Sequence, residues 1–174
     1  PEPTRTAAPA NSVLAQEVSA VTYNPVTDTL FVVGDGGTSI VQVSKTGVLI
    51  DSMTLSPGAS PQGTEFYDPE GLTYIGGGNQ FVMVEERDRQ VSKFTYVAGA
   101  TLLRSDVQTV DLGTFVPNIG IEGISYDPQT SGFVAVKEIT PQGIFQTGVD
   151  FAAGTATNGS AATVDSVNLF DPAL

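Results

Sequence analysis

Three copies of one short pattern organise the chain, and a repeat of this kind limits the fold more than any other property of the sequence. Ser19-Ala20-Val21-Thr22-Tyr23-Asn24-Pro25, Glu70-Gly71-Leu72-Thr73-Tyr74-Ile75-Gly76 and Glu122-Gly123-Ile124-Ser125-Tyr126-Asp127-Pro128 align without gaps, their first residues 51 and then 52 positions apart. Seven residues after each tyrosine a second apolar run begins, at Leu30, Phe81 and Phe133. Each run ends beside an acid, and Asp35, Glu86 and Glu138 all stand 16 residues after the first position of their copy. Two strands, one turn and one carboxylate therefore recur together.

The segments between the paired runs carry hairpin chemistry. Asn24-Pro25-Val26-Thr27-Asp28, Gly76-Gly77-Gly78-Asn79 and Asp127-Pro128-Gln129-Thr130-Ser131-Gly132 combine proline, which fixes φ, with Gly, Asn or Asp, which tolerate positive φ. Further strand-compatible runs follow at Ser39–Val43 and Val48–Leu55, at Val91–Val97 and Val107–Leu112, and at Ile144–Thr147 and Thr163–Phe170. Val149–Ala162, rich in Gly, Ala, Thr and Asn, reads as an enlarged loop. The unit is a four-stranded meander of about 50 residues, the length of a propeller blade. With 19 Gly, 11 Pro and 40% hydrophobic residues, the composition also favours an all-β domain over a helical bundle or a disordered chain. The expected architecture is all-β and of the β-propeller type, with about three four-stranded blades at 17–66, 67–118 and 119–174. Residues 1–16 read as a linker or N-terminal arm, in which Val13 and Leu14 can add a strand to the last blade. Natural propellers carry about 4 to 8 blades, so self-association or the remainder of a longer chain is expected to close the ring.

Missing residue types exclude several chemistries. The chain contains no His, no Cys and no Trp, which removes Ser-His-Asp and Cys-His nucleophiles, zinc fingers, c-type haem and disulfides. Any metal must be held by oxygen. A net charge of −12 repels phosphate backbones and anionic lipid, so nucleic acid is not an expected partner, whereas a protein or cationic ligand, or Ca²⁺, is compatible. No apolar run is long enough to insert in a membrane as a helix. The cysteine-free acidic composition suits an extracellular or cell-surface bacterial protein.

The elements Asp68-Pro69-Glu70-Gly71-Leu72-Thr73-Tyr74, Val84-Glu85-Glu86-Arg87-Asp88 and Ile121-Glu122-Gly123-Ile124-Ser125-Tyr126-Asp127-Pro128 resemble those of the SdiA-regulated family of bacterial proteins, grouped with phytase-like and esterase-like six-bladed propellers. The resemblance runs from about Glu17 to Leu174 and implies the first three of six blades, half of a six-bladed propeller. It implies a fold more than a reaction. The first copy departs from the pattern, with Glu17-Val18-Ser19-Ala20 where the later copies have Glu-Gly.

The recurring carboxylates are the candidate site. Glu70 and Glu122 open the first strand of their blades, and Asp68 and Glu17 stand two residues before the first position of theirs, so all four can converge at one mouth and hold a hard cation. The resemblance to phytase-like propellers implies Ca²⁺ rather than Mg²⁺. The competing reading is that each Glu accepts hydrogen bonds from backbone N–H groups of the adjacent blade. Glu86, Arg87, Glu138 and Lys137, at the ends of the second strands, are candidate ligand-binding residues, because Arg87 among carboxylates can orient them or receive an anionic group, and Lys137 beside Glu138 is its counterpart. Neighbouring Glu85, Asp88 and Arg89 suggest ion pairs there. Tyr23, Tyr74 and Tyr126 read as packing residues between blades. Gly34-Asp35-Gly36-Gly37-Thr38 and Gly76-Gly77-Gly78-Asn79 match no phosphate-binding fingerprint and read as turns. The functional expectation is an extracellular propeller module for binding or scaffolding, with calcium dependence. Its alternatives are a metal-dependent phosphoesterase or esterase, with metal on Glu70 and Glu122, and a structural subunit of a surface assembly or filament.

Overall fold

A computed structural model describes residues 14–113, 120–138 and 143–156, with the backbone of 168–170. Each copy of the pattern forms one antiparallel sheet. The first contains β1 (Val18–Asn24), β2 (Thr29–Gly34), β3 (Ser39–Val43) and β4 (Leu49–Leu55), adjacent in chain order. The second contains β5 (Pro69–Gly76), β6 (Gln80–Glu85) and β7 (Gln90–Thr95). Between β7 and the fourth strand of that sheet come a short strand, β8 (Thr101–Leu102), and a 3₁₀ turn at Arg104–Asp106; the fourth strand is β9 (Gln108–Asp111). In the third sheet, β10 (Gly123–Asp127), β11 (Gly132–Lys137) and β12 (Gly143–Thr147) are joined at the outer edge by β15 (Asn168–Phe170). Between β12 and β15 a small hairpin pairs β13 (Val149–Asp150) with β14 (Thr155–Ala156). The fold is all-β, built of propeller-type blades, and among the described residues no helix is long and apolar enough to cross a membrane.

The repeat is kept at the level of register. Tyr23, Tyr74 and Tyr126 pair with Leu30, Phe81 and Phe133, each the first apolar residue of the second strand. The hairpins between first and second strands place Asp28, Asn79 and Ser131 at the same point, and all three take positive φ, of 55°, 67° and 56°. Asp and Asn tolerate that region because their short side chains bond locally.

Alternation along each second strand decides how the sheets stack. Phe31 and Val33 of β2 face the second sheet, where Phe81 and Met83 of β6 meet them in one buried cluster. Val82 and Val84, the intervening residues of β6, face the third sheet and meet Phe133 and Ala135 of β11 in a second cluster. Aromatic rings carry the first junction: Phe31 lies 4.6 Å from Phe81 and 4.8 Å from Tyr96 between ring centroids. Tyr74 and Tyr126 pack edge-on or tilted on Phe81 and Phe133, both at 5.4 Å, in agreement with their expected packing role.

The first strands lie side by side and are joined by a repeated hydrogen bond. The Thr22 hydroxyl accepts from the Tyr74 backbone N–H at 3.1 Å, and the Thr73 hydroxyl accepts from that of Tyr126 at 2.9 Å. The glycine of the Glu-Gly element has a packing reason at Gly71. A Cβ there would lie 2.5 Å from a Val84 methyl and 2.9 Å from the Ile124 backbone nitrogen, so the third sheet can approach only a glycine.

At the outer edge each later unit laps over the one before it. β8 leaves the second unit and runs parallel to β4, extending the first sheet. The β13–β14 hairpin packs against β9, and its Phe151 ring takes the Lys93 ammonium of β7 at 5.8 Å. Part of the stretch Val149–Ala162, read as an enlarged loop, is thus a hairpin, while 157–162 lie outside the described residues. Asp150 accepts from the Ala152 and Ala153 backbone N–H groups, both at 2.9 Å, and Gly154 takes φ of 69°, which closes a tight turn. Of the expected arm, residues 1–13, Val13 among them, lie outside the described residues. The Leu14 carbonyl accepts from the Ser39 N–H at 2.9 Å, which ties Leu14 to β3.

Gly71→Ala is expected to lower the unfolding free energy by about 1 to 3 kcal/mol through overpacking. Gly123→Ala, whose new Cβ would meet only the Val136 Cβ at 3.9 Å, is expected to stay within about 0.5 kcal/mol of the parent in the same urea titration.

Candidate metal centre

Stacking brings the acids of neighbouring units together at the end of the sheets where the first strands begin. The carboxylate closing the second strand of one unit meets those opening the first strand of the next. Asp35 thus lies against Asp68 and Glu70, whose ligand oxygens, one from each residue, fall within 4.8 Å of one another. Glu86 lies in the same way against Gly120 and Glu122.

The backbone at this cluster is held in an unusual form. Glu17 and Asp68, equivalent in the repeat, have φ of 51° and 57°. Positive φ is a strained region for a glutamate, and strain of this kind persists where the surroundings fix it. The Asp68 carbonyl accepts from the Glu86 N–H at 2.9 Å, and its buried carboxylate forms an ion pair with the Arg87 guanidinium. Arg87 also covers the Tyr67 ring, 5.3 Å from its centroid. Asp35 shares a hydrogen bond with Glu17 and receives one from the Gly36 backbone, while its Oδ1 is buried and has no hydrogen-bond partner. Ser19, equivalent to Glu70 in the first copy, hydrogen-bonds Glu70.

Crowding of like charge in a partly dry place favours the neutral acids. Burial, reinforced by Asp35, Asp68 and Glu86, pushes the Glu70 carboxyl up to about 7. Burial also raises Asp35, with Glu17 and Asp68 adding to the effect. Glu86 is buried, and burial together with its hydrogen bonds to Glu122 and Asp68 pushes its carboxyl up to about 7. Its Oε1 accepts from the Gly120 N–H at 2.9 Å, as the backbone-acceptor reading of these acids expects. Glu122 is raised by burial and also feels Glu70 and Glu138.

Of the four residues read as metal ligands, Asp68 and Glu70 therefore stand together, Glu17 joins them through Asp35, and Glu122 pairs with Glu86 across the next junction. Of the ligand-binding candidates, Arg87 is committed to Asp68, Glu138 is exposed at the end of β11, and Lys137 is buried. Register sets Lys137 at the place of Glu85 rather than that of Arg87, because it pairs across to Gly143 as Glu85 pairs to Gln90. Asp35, which the sequence reading left out of the metal set, completes the trio of carboxylates with Asp68 and Glu70. Its signal was present in the spacing of 16 it shares with Glu86 and Glu138.

Glu85, next to Glu86, has a different environment. It is fully buried and accepts from Arg104 Nη1 and Nη2 at 2.8 and 2.7 Å, from the Ser92 hydroxyl at 3.0 Å and from the Tyr67 N–H at 2.9 Å. Arg104 stacks on Phe66, 4.7 Å from the ring centroid. Every oxygen lone pair of Glu85 that faces the protein is matched, and the pair holds the β7–β9 connection onto the second sheet.

Removing the arginine leaves a buried charge without compensation, so Arg104→Met is expected to cost about 3 to 5 kcal/mol in denaturant unfolding. The acidic cluster has the opposite sign. A carboxyl raised in the folded state binds its proton more tightly there than in the unfolded chain, so stability falls as pH rises from about 4.5 to about 7. Melting temperature in chelator is expected to drop across that window, and Glu70→Gln to flatten the drop.

A family model described as SdiA-regulated matches residues 5–171. That span includes all three copies of the repeat and every carboxylate of the cluster, and the chain belongs to the SdiA-regulated family.

Proposed function

We propose that this propeller-type domain is an extracellular binding module whose acidic end takes a divalent cation, with Ca²⁺ held by Asp35, Asp68 and Glu70. The observation that carries the reading is the set of three carboxylate oxygens within 4.8 Å, drawn from two sheets, with a buried and unpartnered Asp35 Oδ1 among them. All-oxygen donor sets of this kind suit hard cations, and calcium tolerates irregular geometry better than magnesium. The residues fit the ion in charge as well. Arg87 pairs with Asp68, and the raised Glu70 and Asp35 carboxyls mark negative charge that a cation would relieve.

A bound cation would supply electrostatic closure of the first junction. Asp35 closes β2, whereas Asp68 and Glu70 open β5, so an ion shared among them ties two sheets at the end where their carboxylates repel. Three carboxylates with one internal arginine suit the weak affinity class, with Kd on the order of 10⁻⁴ to 10⁻³ M, that is useful outside cells. A chain of net charge −12 also favours cationic surfaces on a protein partner.

Calorimetric titration with Ca²⁺ at neutral pH is expected to show binding with release of protons, since ligand carboxyls must ionise. Asp35→Asn with Glu70→Gln should weaken it by about tenfold or more, and saturating Ca²⁺ should raise the melting temperature of the parent only. Absence of binding heat together with an unchanged melting temperature overturns the assignment.

A further inference from the structure

We propose that Glu17 is a further ligand of the cation at Asp35, so that the ion fastens the segment Leu14–Glu17 onto the glycine-rich turn between β2 and β3. This rests on the calcium site proposed for Asp35, Asp68 and Glu70, and adds what occupancy of that site does to the chain. The ground is a difference between two equivalent positions of the repeat.

In the second copy the turn after β6 supplies its own countercharge. Arg87 stands 17 residues after Glu70, the first position of that copy, and its guanidinium pairs with the buried carboxylate of Asp68, two residues before that position. In the first copy the equivalent of Asp68 is Glu17, and the equivalent of Arg87 is Gly36, 17 residues after Ser19. Glu17 and Asp68 share positive φ, so the two carboxylates leave the backbone alike. The Glu17 carboxylate also lies beside the turn, because a Cβ on Gly36 would stand 3.1 Å from Glu17 Oε2. One unit thus meets its carboxylate with a guanidinium and the other with a glycine. A cation at Asp35 supplies the missing charge, since Asp35 precedes Gly36 and shares a hydrogen bond with Glu17. This contact lies inside the first unit, between its opening segment and its own turn, and does not use the outer face of the sheet.

The turn is shaped to receive the segment. Cβ atoms on Gly34 and Gly37 would fall 2.0 Å from the Gln16 carbonyl oxygen and 2.9 Å from that of Leu14, so backbone lies directly on backbone there. The Leu14 carbonyl holds the Ser39 N–H, and Glu17 is the segment's one charged residue. That charge is exposed and faces the like charge of Asp35. With both carboxylates ionised the contact is repulsive, and a divalent ion between them reverses its sign. Calcium takes 6–8 oxygen ligands, which leaves room for Glu17 beside the other three carboxylates.

Amide exchange read by NMR during a Ca²⁺ titration tests the assignment. In the parent, saturating Ca²⁺ is expected to slow exchange of the Ser39 N–H by about tenfold, because Leu14 can then leave it only when the ion's hold on Glu17 is broken. Glu17→Gln is expected to weaken Ca²⁺ binding by about tenfold or more and to abolish the slowing. Gly36→Arg moves the countercharge of the second copy into the first. Gly36 does not have positive φ, and a Cβ there would meet side-chain atoms of Glu17 and Gln16, so the backbone admits the larger residue. That variant is expected to show slow Ser39 exchange without Ca²⁺ and weaker Ca²⁺ binding; if it does not fold, Glu17→Gln decides alone. Should the parent bind Ca²⁺ through Asp35 and Glu70 while Ser39 exchange stays unchanged, or Glu17→Gln bind as the parent does, the role of Glu17 is overturned and the metal site stands. A parent that binds no Ca²⁺ overturns both.

Discussion

Period-two alternation on strands whose two faces are both apolar is the constraint on which the rest of this structure depends. In β6 every residue from Phe81 to Val84 is completely buried, with Phe81 and Met83 turned to one neighbour and Val82 and Val84 to the other. A single sheet with such a strand cannot satisfy both faces against water, and burying these side chains contributes roughly 1.5 to 3 kcal/mol each. Stacking of sheet on sheet is therefore obligatory rather than a late embellishment. The glycine at Gly71 then sets how closely the first strands approach, and the Thr22 and Thr73 hydroxyls fix their sliding register at the point of closest approach.

Once the stacking is fixed, the electrostatics follow. The end of each second strand reaches the start of the next first strand, and in this sequence both places carry acids. Two adjacent glutamates at the end of β6 show how much depends on what each one meets. Glu85 turns toward its own sheet and accepts from both nitrogens of the Arg104 fork. Glu86 belongs to the junction, finds Asp68 and Glu122, and is driven toward its neutral form. The first arrangement stabilises the fold and is complete. The second leaves negative charge that a proton or a cation can relieve, which is why the functional reading lies at the junction and not at the more deeply buried ion pair.

Much of the fold was legible because the repeat is written in residue identity as well as in hydrophobic pattern. The spacing from Tyr74 to Phe81 gave the strand pairing, and the Gly-rich and Asn-Pro segments gave the turns. The common spacing of Asp35, Glu86 and Glu138 located the end of the sheet where charge gathers. What remained hidden depended on contacts between units. Asp35 looked like the close of a strand, and only the stacking of β2 on β5 makes it a neighbour of Glu70. Arg104 has no repeat counterpart to mark it, and its partner Glu85 lies 19 residues earlier across the sheet. The β13–β14 hairpin was hidden for a related reason: strands of two residues are too short to show a period, and the Asp150 turn and Gly154 were the only local signals.

The inner and outer margins of the stack are secured by different means. Outside, chain from a later unit crosses onto an earlier one, as β8 does on β4 and the β13–β14 hairpin does on β9. Backbone pairing holds the β8 lap, and the hairpin adds the contact of Phe151 with the Lys93 ammonium. Inside, the strands meet through single hydroxyl bonds, each worth about 1 kcal/mol net, beside a row of carboxylates that oppose the contact whenever they ionise. The outer laps keep neighbouring units in register, and the inner end is left as the place where occupancy by protons or cations changes the free energy of the junction. A cation bound there would need no moving lid, because the sheets it would join are already adjacent and only the repulsion between them would have to change.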